Sequence, residues 1–139
     1  MNLVEQLLNA DVNRVGELET KTIKSRRLAK ILELEEAIEI KISEIPARRF
    51  NELCTKPYNK NGDFESDKMF DAKALICVEG IVDPNMKDKK LQEHFGCKNP
   101  KDLVIKLFGN EMTDIYLEID KLCGGSKEEK EELEKKFDE

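Results

Sequence analysis

The sequence has no tryptophan, one histidine (His94), six phenylalanines and two tyrosines. Imidazole catalysis and base stacking on nucleic acid therefore have little to work with. His94 stands beside Phe95 with no serine or cysteine motif placed to use it, and the seven glycines are scattered rather than gathered into a phosphate loop. No enzymatic activity and no cofactor are expected. No apolar run approaches the length of a bilayer span, and Met1-Asn2-Leu3-Val4-Glu5 lacks a basic leader region, so neither membrane insertion nor secretion is expected. The cysteines at 54, 77, 97 and 123 are widely spaced, with only His94-x-x-Cys97 compact, whereas structural zinc sites bring ligands in close pairs. Reduced thiols in apolar surroundings such as Leu75-Ile76-Cys77-Val78 are the expectation, with no metal. Asn59-x-Asn61-Gly62 resembles the middle of a calcium loop, but Pro57 and Lys68 occupy the first and last ligand positions, and a plain turn fits better.

What the chain does have is charge. Hydrophobic and charged residues each make up 39% of its 139 residues, with 24 basic against 30 acidic side chains and a net charge of -6. That length suits one domain with one core, and the net charge repels a phosphate backbone, so nonspecific nucleic-acid binding is disfavoured. The acid-free stretch holding Lys21, Lys24, Arg26, Arg27 and Lys30 is the local exception. A solvated basic face is the plain reading of it, and a grip on an acidic partner or nucleic acid the sharper one.

Hydrophobic spacing supplies the elements. Leu3, Val4, Leu7 and Leu8 follow Asn2 at helical spacing and predict a short amphipathic helix, too short to stand without docking. Ile38, Ile40 and Ile42 alternate with Glu39 and Lys41, and Thr20 to Lys24 is the natural antiparallel mate, with a long or partly helical connection between them. Helices are then predicted around Phe50, Leu53 and Cys54, and from Ser66 through Phe70, Ala74, Cys77, Val78 and Ile81 up to Asp83-Pro84. A further helix runs from Asp88 to a left-handed end at Gly96, and another follows from the Asn99-Pro100-Lys101-Asp102 cap with Leu103, Val104, Leu107 and Phe108. The last carries Met112, Ile115, Ile119 and Leu122.

The resulting expectation is a mostly helical α+β protein, with a small N-terminal antiparallel β-hairpin over about residues 19–43 and a bundle of four to five short helices over about 46–123. Residues 1–125 would form one domain, and the charged residues 126–139 a frayed tail. The chain has more amphipathic faces than so small a body needs. Leu3, Leu7 and Leu8, together with Ile115, Ile119 and Leu122, are the expected partner-binding or self-association surface, with Arg26 and Arg27 as its charged component. A two-stranded hairpin leaves open edges, which also points to a homo-oligomer.

Glu79-Gly80-Ile81-Val82-Asp83-Pro84-Asn85-Met86-Lys87-Asp88-Lys89-Lys90-Leu91, continuing through His94-Phe95-Gly96 to Pro100-Lys101-Asp102-Leu103, resembles the signature region of XkdN-like phage tail assembly chaperones. Glu19-Thr20-Lys21-Thr22-Ile23-Lys24, Arg27-Leu28 and Pro46-Ala47-Arg48-Arg49-Phe50 are similar to that family's N-terminal pattern, in the same order. The resemblance implies a binding protein working in the cytoplasm of the host bacterium. Its implied partners are the tape measure protein, a long apolar helical chain, and the tail tube protein. The alternative is a phage-encoded adaptor or regulator that binds protein or nucleic acid through the basic hairpin.

Overall fold

The computed structural model describes residues 2–124. Helix α1 (Leu3–Leu8) and a 3₁₀ turn (Val12–Gly16) lead into strand β1 (Thr20–Ser25). Helix α2 (Arg26–Ile31) and strand β2 (Ile38–Ser43) follow, then helices α3 (Ala47–Thr55) and α4 (Ser66–Gly80). Strand β3 (Ile81–Asp83) precedes helices α5 (Lys89–His94), α6 (Pro100–Phe108) and α7 (Glu111–Leu122). The protein is mostly helical α+β, as the hydrophobic spacing indicates.

The hairpin forms in the expected place, with Thr20 opposite Ser43 and Ser25 opposite Ile38. This register puts Ile40 and Ile42 on the core face and leaves Glu39 and Lys41 in water. The connection closes as α2, because the Ser25 hydroxyl accepts from the Leu28 amide and serves as its N-cap. The sheet has a third strand that helical spacing does not reveal. Helix α4 stops at Gly80, so Ile81 leaves the predicted stripe and pairs with Ile42 across β2. Strand order β1-β2-β3 means that β2 has no open edge, and the free edges belong to β1 and β3.

Helix α4 packs against α3, α6 and α7. It buries Ala72, Ala74, Ile76, Cys77 and Val78, whereas Phe70, placed in the stripe by its spacing, is 51% exposed near the start of the helix. The core joins the sheet residues Ile40, Ile42 and Ile81 to Leu53, Leu103, Val104, Leu107, Phe108, Met112, Ile115 and Ile119. At the crossing of α4 and α7 a Cβ on Gly80 would lie 2.5 Å from Ile119 Cδ1, so only the missing side chain lets the two helices approach this closely. Local caps fall where composition puts them: Asp88 accepts from the Leu91 amide, Asn99 from the Asp102 amide, and Gly96 ends α5 at φ 71°.

Candidate docking surface

Residues 2–19 form an arm. Asn2 caps α1 by accepting from the Glu5 amide at 2.9 Å, and Asp11 caps the 3₁₀ turn by accepting from the Asn13 amide at 3.0 Å. Both pieces are therefore locally well made, yet every residue from Asn2 to Glu19 is exposed. Leu3, Val4, Leu7 and Leu8 are 65–80% exposed, and Val12 and Val15 more than that. Burying side chains of this kind is worth about 1.5–3 kcal/mol each. The arm thus carries a large unspent tendency to bind apolar surface. Glu19 anchors it to the body: its amide donates to Glu44 Oε1 and its carbonyl accepts from the Glu44 amide.

The second exposed feature lies at the far end of β1. Glu111, at the start of α7, reaches across to the Ser25 hydroxyl and accepts from the amides of Arg26 and Arg27 at 3.0 and 3.4 Å. One carboxylate thereby supports the N-terminus of α2, where unsatisfied amides and the helix dipole both favour an anion. The Arg27 guanidinium lies against Gly109, whose absent Cβ would sit 2.8 Å from Arg27 Cζ. Lys24, Arg26 and Lys30 face instead a shallow open groove shared with Leu34, with Glu35 and Glu36 also lining it. Ile31, Leu32 and Leu34, which follow on the same turn, are 41–55% exposed. Lys21, at the other end of the strand, forms an ion pair with Glu118 at 2.7 Å, and this hydrogen bond holds the Glu118 carboxyl below its ordinary titration range.

The residues singled out from the sequence fall into three places. Leu3, Leu7 and Leu8 are on the arm, fully available. Arg26 and Arg27 are exposed on α2, Arg26 on the groove and Arg27 over Gly109. Ile115 and Ile119 require correction as surface residues, because at 2% and 0% exposure they are core side chains that fasten α7 to the body, and Leu122 is half-buried beside them. The stripe on α7 is used up by α4 and the sheet. Val12 and Val15 were missed. Their three-residue spacing suits a 3₁₀ turn, in which such side chains stack on one edge, and reading that period alongside the 3.6-residue one would have found them. No local signal announces Glu111, whose partners are more than eighty residues away in the chain.

The cysteines are free thiols. Burial pushes the Cys77 thiol up to about 12, and also raises Cys54 and Cys123, so none of these three is a ready nucleophile at neutral pH. Among the described residues no three histidine, cysteine or acidic side chains gather as a metal site would require, and no helix is long and apolar enough to cross a membrane. His94 is exposed and packs edge-on against Phe95 at 4.9 Å between ring centroids.

The class defined by these features is a small α+β body with an appended apolar arm and a basic corner. The family model of phage XkdN-like tail assembly chaperones matches residues 4–136, and the chain belongs to that family. A crystal structure described as that of the protein yqbn is similar over 76% of this chain and 87% of its own, with a TM-score of 0.54 and 18% sequence identity. At that identity the likeness speaks for the fold alone. Comparison with curated proteins yields no match.

Proposed function

We propose that this chain binds and solubilises the tape measure protein in the cytoplasm of the host bacterium, helps recruit tail tube subunits, and is absent from the finished tail. It does so as a binding protein, without catalysis. The observation that carries this reading is the arm: a preformed amphipathic helix and turn whose apolar side chains are buried against nothing in the body. A long helical protein waiting for its tube presents apolar stripes of its own, and such surface aggregates unless something soluble covers it. A short helix offers modest affinity per copy, which suits a cover that polymerising tube subunits must displace without ATP.

Co-expression tests the proposal. A tape measure protein that is insoluble alone should stay in solution with this chain, and Leu7→Asp, at an exposed position, should abolish the effect while leaving the chain folded. Unchanged solubility with the unaltered chain would remove the proposal. Ile119→Asp is uninformative here because it strikes the core.

A further inference from the structure

The arm and the groove beside α2 are complementary in two independent respects. The arm is apolar and acidic, with Glu5, Asp11, Glu17 and Glu19 against the single base Arg14. The groove is lined by three bases, Lys24, Arg26 and Lys30, against two acids, Glu35 and Glu36, with Leu34 as its large apolar side chain, and Ile31 and Leu32, which follow Lys30 in the chain, are also exposed. From Thr20 to Leu32 there is no acid, in a chain whose net charge is -6. Lys21 is engaged with Glu118, while Arg26 and Lys30 side chains have no ion pair among the described residues. The two surfaces also lie at opposite ends of β1, since the arm leaves the body at Glu19 and the groove begins at Lys24.

We propose that, when no client is bound, the arm of one copy docks in the α2 groove of a second copy, storing its apolar face there until a client competes for it. The contact joins two different patches, so it closes either as a two-fold dimer in which the arms are exchanged or by repetition from copy to copy into rings or chains. Leu3, Val4, Leu7 and Leu8 present the apolar stripe of a helix-in-groove contact, and the charges around it set the direction and the partner. Screening by salt then loosens the assembly, because the ionic part is exposed. The inference accepts the arm as the client-binding element, but its test uses the purified chain alone. A failure here leaves the co-expression result standing, and the reverse also holds.

The experiment is sedimentation velocity on the full chain, over a wide range of concentration and at low and high salt. The chain should show concentration-dependent association that weakens as salt rises. Leu7→Asp and, separately, the double variant Arg26→Glu with Lys30→Glu should each sediment as monomers, with circular dichroism confirming that they remain folded. Mixing the two variants is decisive. The first retains an intact groove and the second an intact arm, so together they should form a one-to-one complex that grows no further. A chain that is monomeric at every concentration overturns the proposal, as does one whose association survives both sets of substitutions. Failure of the mixed variants to combine also overturns it, because an arm-to-arm contact predicts that outcome. Monomers whose arms are protected from proteolysis would show docking within one copy, which equally excludes the exchange between copies.

Discussion

Helices α1 and α6 carry the same message in their sequences and meet opposite fates. Each is capped by an asparagine, Asn2 or Asn99, and each then presents leucine, valine and two further apolar side chains at the same spacing: Leu3, Val4, Leu7 and Leu8 in one, Leu103, Val104, Leu107 and Phe108 in the other. In α6 these four are at most 3% exposed, and in α1 they are at least 65% exposed. Amphipathic spacing therefore marks a face that will be buried against something, without saying whether that something is in the same chain. Helix α6 spends its apolar face on the fold, whereas α1 leaves its face exposed, which is the feature the proposed function rests on.

Matched substitutions in the two regions measure that difference. The largest effect is expected for Leu107→Ala, which should cost about 2–5 kcal/mol in chemical denaturation, whereas Leu7→Ala at the equivalent position should change stability by less than about 0.5 kcal/mol. Comparable losses in both would mean that the arm is docked in solution, on its own body or on a second copy. Next come the glycines. Gly80→Ala drives a Cβ into Ile119 and should cost about 1–3 kcal/mol, part of it returned when Ile119 is trimmed to valine in the same chain. Gly16→Ala, in the arm, meets nothing within 4 Å and should be close to neutral in the same assay.

The helix supports follow. Glu111→Gln weakens the support of α2 and should lower stability by about 1–2 kcal/mol, while Asn2→Ala removes a cap from a helix the body does not need and should leave the main unfolding transition in place. The smallest effect among the substitutions in the body belongs to the start of β1. Lys21→Ala breaks an exposed pair and should cost no more than about 1 kcal/mol. Its pH signature is more telling than its size. The Glu118 carboxyl is held low in the folded chain, so the pair contributes fully above the ordinary glutamate range, and the contribution disappears as pH falls through the lowered value. Acid titration of stability should lose that component in Lys21→Ala.

Much of the body is legible in local composition, because caps and periodicity act within a few residues. Asn99 with Asp102, Asp88 with Leu91 and the isoleucines of β2 each stand where their residue types put them. Strand β3 was not legible. Ile81 and Val82 continue the apolar run of α4, and only pairing with β2 draws them out of the helix. The candidate surface divides in the same way. Leu3, Leu7 and Leu8 were identifiable as apolar side chains on a helix too short to be self-sufficient. Ile115 and Ile119 looked equivalent, yet both are core, Ile119 at the point where α4 offers Gly80 to the crossing α7.

Residue type and spacing thus settle that the chain is helix-rich, where most helices start, which strands pair first, and that its apolar faces outnumber those a small body requires. These features depend on contacts a turn or a strand register away. Which faces close on one another, which leucines stay in water, and how Glu111 comes to support the start of α2 are settled by the assembled fold. They depend on residues far apart in the chain, and a pattern of side chains along one segment holds no information about what will pack against it.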